Sequence, residues 1–282
     1  MKVTVHHVNA FTASSSGGNP AGVVLEADGL SEPQMLAIAK QVGFSETAFI
    51  SGSDKATKKL RFFTPIEEVD LCGHATIASW SLLHQQQLVG LGISTQETLA
   101  GLLKVDVQSD GLIYMEQTKP IFFEIIEPRA IALILGITEA DFNAALKPQV
   151  VSTGLNDLMV ILKNEAVLDG LAPDLQAMAA FSKAHEITGM HIAVLLDGQP
   201  SLASARNFAP LVGINEESAT GTSNGALLCY LRRYNALPSQ QEYMIEQGKS
   251  MGQTSHIYGK FSGETVWIGG NVKVVRTIEV TV

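Results

Sequence analysis

DLCGHATIASWSLL, residues 70–83, sets a cysteine, a glycine and a histidine at the mouth of an apolar run. The reading of that run decides the fold. Ile77, Ala78, Trp80, Leu82 and Leu83 recur at helical spacing but cover more than one stripe, which predicts a helix over 75–88. A second run, Ala226–Leu231, is apolar all the way round and predicts a helix over 225–237. A helix that is apolar on every side is buried within its own domain. Short alternating segments surround both: 3–8, 22–25, 47–50, 60–63, 112–116, 159–162, 191–195, 242–245, 265–268 and 272–282 read as strands. SDG at 109–111, DGQP at 197–200 and SGE at 262–264 mark turns, and such short gaps favour antiparallel pairing. Lesser helices are expected over 32–42, capped by Ser31, and over 128–135. The expected fold is therefore α+β, with two similar domains, each a mostly antiparallel sheet wrapped round a central apolar helix.

The two halves share more than a helix. EEVDLCGHATIA precedes and enters the first, and NEESATGTSNGA the second, with Glu68 to Gly73 spaced as Glu216 to Gly221. This internal repeat of about 140 residues is far too long for a solenoid and points to duplication of a domain. The expected division is 1–118 with the C-terminal strand at about 266–282, and 119–265, with a site in the cleft between them. A glycine at a helix mouth leaves first-turn N–H groups open, and the helix dipole adds positive charge there. Gly73 and Gly221 thus suit a carboxylate or a developing negative charge. One such mouth alone is better explained by close packing; two related mouths favour function.

Composition excludes other classes. Of 282 residues, 46% are hydrophobic and 17% charged, enough apolar material for packed cores rather than a disordered chain. A net charge of −9 with no long basic run argues against nucleic acid as a partner. No window offers the ~18 consecutive apolar residues of a membrane span, and the alternating N-terminus reads as a strand rather than a signal peptide. Two distant cysteines without CxxC argue against a disulfide framework and for a cytoplasmic protein.

Three readings of the first mouth remain to be weighed. The metal reading fails on spacing, since none of the seven histidines forms HExxH or pairs with cysteine at zinc-ligand spacing. A thiol nucleophile at Cys72, with His74 assisting, is chemically reasonable, but Thr220 stands at the matching mouth where a two-thiol racemase needs a second cysteine. Cys229 lies inside the second helix and reads as core. In GFSETAFI, residues 43–50, Glu46 precedes an apolar strand, where desolvation suits a carboxylate to general acid/base work, although an exposed strand-end glutamate is the plainer reading of that residue alone.

GGNPAGVVL (17–25), GFSETAFI (43–50), RFFTPIEEVDLCGHATIASW (61–80), RNFAPLVGINEESATGTSNGAL (206–227) and EQGKSMGQTSHI (246–257) together resemble the phenazine-biosynthesis PhzF-like family, of the diaminopimelate epimerase-like fold. The resemblance implies an isomerase that shifts a proton between carbons of a small cyclic acid, with no cofactor, no metal and usually a homodimer. It assigns acid/base catalysis to Glu46, substrate orientation or proton relay to His74, and a substrate-contacting carboxylate to Glu217. Asn19, Cys72, Gly73, Gly221 and Thr222 fall to substrate binding. Glu217 and Ser218 stand where the family has Asp-Pro, and Gln253 where it often has arginine, changes that bear on the substrate more than on the reaction class. An amino-acid epimerase using Cys72 and Glu217 as opposed bases, and a small-acid-binding protein without catalysis, are the alternative expectations.

Overall fold

A computed structural model describes residues 1–13, 17–197 and 200–282, so positions 198 and 199 of the expected DGQP turn lie outside the described residues. The chain is α+β and mostly strand, with six α-helices among the described residues, and it divides into two compact units, 1–116 with 269–282, and 117–268. None of these helices is long and apolar enough to cross a membrane.

The first unit runs β1 (Lys2–Ala10), β2 (Asn19–Val24), α1 (Glu32–Val42), β3 (Thr47–Ser51), β4 (Lys58–Phe63), β5 (Glu68–Val69), α2 (Gly73–Gln85), β6 (Gly92–Thr98), β7 (Gly101–Val107) and β8 (Ile113–Glu116). The second holds β9 (Ile121–Ile125), α3 (Pro128–Leu135), β10 (Gln149–Ser152), β11 (Asn156–Leu162), α4 (Glu165–Asp169), α5 (Leu175–Ala184), β12 (Gly189–Leu195), β13 (Ala203–Ala209), β14 (Ile214–Glu217), α6 (Gly221–Arg233), β15 (Glu242–Gln247) and β16 (Ser255–Ser262). β17 (Thr265–Gly270) spans the boundary between Ile268 and Gly269, and β18 (Val272–Thr281) belongs to the first unit.

Strand pairing repeats step for step. In the first unit β1–β2 is antiparallel, β2–β3 parallel and β3–β4 antiparallel. β4 then pairs β5 antiparallel and β6 parallel, and β6–β7 is antiparallel. In the second unit β10 to β13 follow the same series of directions. β13 likewise pairs β14 antiparallel and β15 parallel, and β15–β16 is antiparallel. An outer antiparallel strand completes each set, β18 on β1 and β9 on β10.

α2 occupies the middle of the first unit, against β1, β2, β3, β7, β8 and β18, with His74 through Leu83 all buried. Removing Ile77, Leu82 and Leu83 from water contributes roughly 1.5–3 kcal/mol each. α6 is buried from Ser223 to Leu231 against β10, β11, β12 and β16. Both helices start earlier than periodicity indicates, at Gly73 and Gly221 rather than 75 and 225, because Cys72 and Thr220 are the extended N-cap residues. Both also stop earlier, at Gln85 and Arg233 rather than 88 and 237. Gln87 (φ 59°) and Asn235 (φ 53°) are left-handed and turn the chain out of the helix.

Candidate active site

At the first helix mouth, three elements converge on one imidazole. His74 sits in the first turn of α2, and its ring nitrogen Nδ1 lies 3.4 Å from Asn19 Nδ2 and 3.4 Å from Cys72 Sγ. Asn19 opens β2, placed there by Gly18, which is left-handed (φ +85°) and whose missing Cβ would fall 2.5 Å from the Ala10 carbonyl oxygen. Nε2 of His74 lies 3.3 Å from Glu46 Oε2 and 3.5 Å from Ser45 Oγ, both on the segment leading into β3. With Asn19 donating to Nδ1, the neutral ring carries its proton on Nε2, the nitrogen facing Glu46.

Glu46 is the least settled group of this set. Its side chain is 21% exposed, yet Oε2 is fully covered and has no hydrogen-bond partner among the described residues. The 3.3 Å approach to His74 therefore meets the distance of an ion pair without the alignment of a hydrogen bond. A buried acceptor left in this way costs about 1–3 kcal/mol and is ready to take a proton or a donor from a ligand. Glu46, Cys72 and His74 also offer a carboxylate, a thiol and an imidazole whose donor atoms all lie within 4.8 Å of one another. Sequence spacing joined only the cysteine and the histidine; the fold adds the carboxylate.

A buried chain of side chains holds the mouth from below. Thr76 Oγ1 donates to the Cys72 carbonyl at 2.8 Å, Gln96 of β6 reaches Thr76 Oγ1 at 3.4 Å, and Trp80 Nε1 donates to Gln96 Oε1 at 2.8 Å.

The second mouth uses the same plan with other residues. Gln247 of β15 is fully buried and donates to the Glu217 carbonyl at 2.8 Å and to Thr220 Oγ1 at 3.1 Å. Its Oε1 accepts from the Thr220 N–H at 3.2 Å and from Asn224 Nδ2 at 2.8 Å. Thr220 Oγ1 in turn donates to Glu217 Oε2 at 2.5 Å, fixing that carboxylate over the mouth. Gly221 is buried in the first turn, and Thr222 is half-buried with its carbonyl accepting from Thr153 at 3.0 Å. Gln253 is exposed. Gly248, left-handed at φ +82°, lets the chain pass Ser218, whose carbonyl oxygen would lie 2.7 Å from any Cβ there.

The acidic pair that revealed the repeat divides its labour. Glu68 takes two hydrogen bonds from Arg61, at 2.6 and 2.5 Å, and Glu216 takes two from Arg206, both at 2.8 Å. Each guanidinium also lies over a phenylalanine, Phe63 and Phe208, at 5.1 and 4.9 Å. Burial pushes the Glu216 carboxyl up, but Arg206 and the Ser250 hydroxyl outweigh it and hold it below its ordinary range. Glu68 and Glu216 are therefore structural, and the neighbouring Glu217 is the carboxylate at the mouth.

Beneath α6 lies a network that periodicity did not reveal. His191 Nε2 lies 3.1 Å from Asn224 Oδ1, and Asn207 Nδ2 reaches His191 Nδ1 and Ser223 Oγ, each at 3.2 Å. Ser223 Oγ donates to Asp157 Oδ2 at 2.5 Å. Burial lowers the His191 pKa to about 4, and burial likewise raises that of Asp157 against the hydrogen bonds from Ser223 and the Gly189 N–H. Serine meets aspartate here while histidine meets amides, so the set is a core network and not a nucleophile with its base. Surface hollows of about 570 Å³ beside Pro33 and Ile66, and about 700 Å³ beside Arg232 and Lys260, include none of the candidate residues.

Comparisons with known proteins identify the family. The phenazine biosynthesis-like protein family (PhzC-PhzF) matches residues 8–277. An uncharacterized isomerase of Escherichia coli K12, YddE, is 38% identical over 268 residues, covering 91% of this chain and 89% of its own. The crystal structure of a Bacillus anthracis PhzF-family protein superposes with a TM-score of 0.90 at 30% identity, covering 100% of both chains. At 11% identity, where only the fold is shared, a hydroxyproline epimerase from Agrobacterium vitis superposes with a TM-score of 0.62, covering 99% of this chain and 91% of that one.

Proposed function

The chain belongs to the phenazine biosynthesis-like PhzC-PhzF family and is an enzyme of the isomerase type, and from that premise we propose that it moves a proton between carbons of a small cyclic or amino carboxylic acid with Glu46 as the base. The observation that carries this reading is the covered Oε2 of Glu46, without a hydrogen-bond partner among the described residues and 3.3 Å from His74 Nε2 at the N-terminus of α2. Glu46 takes a proton from a carbon beside a carboxylate or carbonyl. The C–H electron pair moves into that group as an enolate, and the proton returns to a different carbon. His74, with its tautomer set by Asn19, holds the Glu46 carboxylate in place and meets the substrate. First-turn N–H groups at Gly73 receive the developing negative charge. The resemblance gives substrate-binding roles to Glu217, which Thr220 holds, and to Gly221 and Thr222, while Cys72 lines the first mouth. The resemblance further implies a homodimer that needs no cofactor, and sedimentation velocity at micromolar concentration should show a two-chain species.

Cyclic and amino carboxylates screened in D₂O should reveal one class whose carbon-bound hydrogen exchanges in the presence of the protein. Glu46→Gln, nearly isosteric, should slow that exchange by about 10²–10⁴-fold with the circular dichroism spectrum unchanged. Full exchange by this variant would remove Glu46 from its role. The epimerase reading draws on the shared fold of the hydroxyproline epimerase. It predicts deuterium at a stereocentre with inversion, whereas isomerisation moves the double bond. The two helix N-caps, Cys72 and Thr220, occupy matching positions, so a two-thiol version lacks its second thiol.

A further inference from the structure

We propose that His191, Asn224 and Gln247 are positioning residues for Glu217, joined in a hydrogen-bond chain that runs in a single direction and delivers its last hydrogen to the Glu217 carboxylate. The direction of the chain stands on geometry alone; its effect on turnover rests on the substrate-binding role given to Glu217 above.

Backbone groups, whose donors and acceptors cannot exchange, settle which way each amide points. Gln247 places Nε2 2.8 Å from the Glu217 carbonyl and Oε1 3.2 Å from the Thr220 nitrogen, so its two ends cannot be swapped. Nε2 also donates to Thr220 Oγ1 at 3.1 Å, and that hydroxyl directs its own hydrogen to Glu217 Oε2 at 2.5 Å. Asn224 Nδ2 lies 2.8 Å from the Thr220 carbonyl, which only a donor can approach, and 2.8 Å from Gln247 Oε1. Oδ1 of Asn224 therefore faces His191, 3.1 Å from Nε2, and that nitrogen carries the ring proton. Burial lowers the His191 pKa to about 4, so near neutral pH Nδ1 is a bare acceptor and takes a hydrogen from Asn207 Nδ2 at 3.2 Å. Asn207 gives the other hydrogen of that amide to Ser223 Oγ, also at 3.2 Å, whose own hydrogen goes to Asp157.

From Asn207 onward, each member accepts from the one before and donates to the next: His191, Asn224, Gln247, Thr220 and finally Glu217. His191, Asn224 and Gln247 are fully buried, on β12, α6 and β15. In a low-dielectric interior such a chain polarises in one sense, and each bond strengthens its neighbour. The first unit contains a shorter chain of the same design. Trp80 Nε1, which can only donate, bonds Gln96 Oε1; Gln96 Nε2 reaches Thr76 Oγ1; and that hydroxyl donates to the Cys72 carbonyl. A buried glutamine thus passes a hydrogen toward the N-cap of each central helix, and the second chain goes further, ending on a side-chain carboxylate. Glutamine at position 191 keeps a donor for Asn224 and an acceptor for Asn207, so it preserves the direction, whereas phenylalanine fills the space and removes both.

Isotope-labelled protein is studied by NMR near neutral pH. The His191 ring, assigned by the signals missing from His191→Gln, should show a protonated Nε2 and a bare Nδ1. The opposite tautomer, or a charged ring, overturns the chain. The carboxylate carbon signal of Glu217, assigned by its loss in Glu217→Gln, should shift in Asn224→Leu, His191→Phe and Thr220→Val, and stay in place in His191→Gln and Thr220→Ser. A Glu217 signal unmoved by folded His191→Phe also overturns the chain. Circular dichroism establishes which variants are folded. Should His191→Phe not fold, the other end decides: Thr220→Val should shift the His191 Nε2 resonance and Thr220→Ser should not, and an unmoved resonance in Thr220→Val refutes the coupling. With an exchanging carboxylate in hand, His191→Phe and Thr220→Val should raise KM about 10-fold with kcat within about twofold, and His191→Gln should keep the wild-type KM. A wild-type KM in folded His191→Phe overturns the positioning role. A wild-type KM in Glu217→Gln as well traces that failure to the substrate role of Glu217. No exchange for any carboxylate refutes Glu46 as a base instead, and the NMR signals still decide the chain.

Discussion

At Gly73 a methyl group would meet only Met115 Cε, at 3.8 Å, an ordinary van der Waals distance. Packing therefore does not require glycine here, and the close-packing explanation of the first mouth loses its force. The absent side chain instead leaves room beside the first-turn amides of α2, which lack intrahelical acceptors and suit an anion. Gly73→Ala should keep or slightly raise stability, since alanine is the better helix former, while weakening carboxylate binding and turnover. A denaturant midpoint unchanged or raised, alongside a raised KM or lowered kcat, is the expected pair of results; loss of stability would restore the packing explanation. Glu46 was recognisable as a carboxylate entering an apolar strand, and His74 as part of a helix mouth. Their 3.3 Å approach was not, because it depends on how β3 lies against α2.

Elements differed in how far their residues announced them. α1 and α3 match their periodic stretches, 32–42 and 128–135, end to end. β13, Ala203-Ser-Ala-Arg-Asn-Phe-Ala209, is buried along its whole length, so its mix of small and polar residues shows neither alternation nor an apolar run. β6, Gly92-Ile-Ser-Thr-Gln-Glu-Thr98, buries two polar residues instead of an apolar face, Gln96, which bonds Thr76 and Trp80 of α2, and Thr98, which donates to the Gly101 carbonyl. The ends of α2 and α6 share a further device. Leu88 N–H bonds to the Leu83 carbonyl and Gln87 N–H to that of His84, while Ala236 bonds to Leu231 and Asn235 to Arg232. Both are Schellman caps with a non-glycine residue in the left-handed position. Gln87→Gly should therefore stabilise the protein by roughly 0.5–1 kcal/mol, the relief of left-handed strain exceeding the added chain entropy. Urea unfolding measures it, and a destabilised variant would mean that the Gln87 side chain contributes more than its backbone costs.

On the scale of the whole molecule, one pairing scheme serves both units, down to the Arg61–Glu68 and Arg206–Glu216 pairs and the buried glutamines 96 and 247. The second unit carries the His191–Asp157 network, which is expected to make stability fall in acid. His191 has a folded pKa of about 4 against 6.5 for a free imidazole, so the unfolded chain binds the proton more readily. The His191 contribution to stability should be complete above pH 6.5 and be lost as the pH drops toward 4, by up to about 3 kcal/mol. Asp157, raised by burial, works in the opposite direction below its folded pKa, where the folded state takes up the proton first. His191→Gln should flatten the stability curve between pH 6.5 and 4 in denaturant titrations, and an unaltered slope would place the acid sensitivity elsewhere. The sequence by itself determined the two buried helices and the duplicated mouth motif, because periodicity and glycine placement act over a few neighbouring residues, whereas the roles given to Glu46, His74 and Glu217 come from the family resemblance. Tertiary structure alone decided that Glu216 is tied to Arg206 while Glu217 faces the mouth, and that Glu46, Cys72 and His74 share one cluster. Those outcomes depend on strand register and on distances between residues far apart in the chain, which no local pattern encodes.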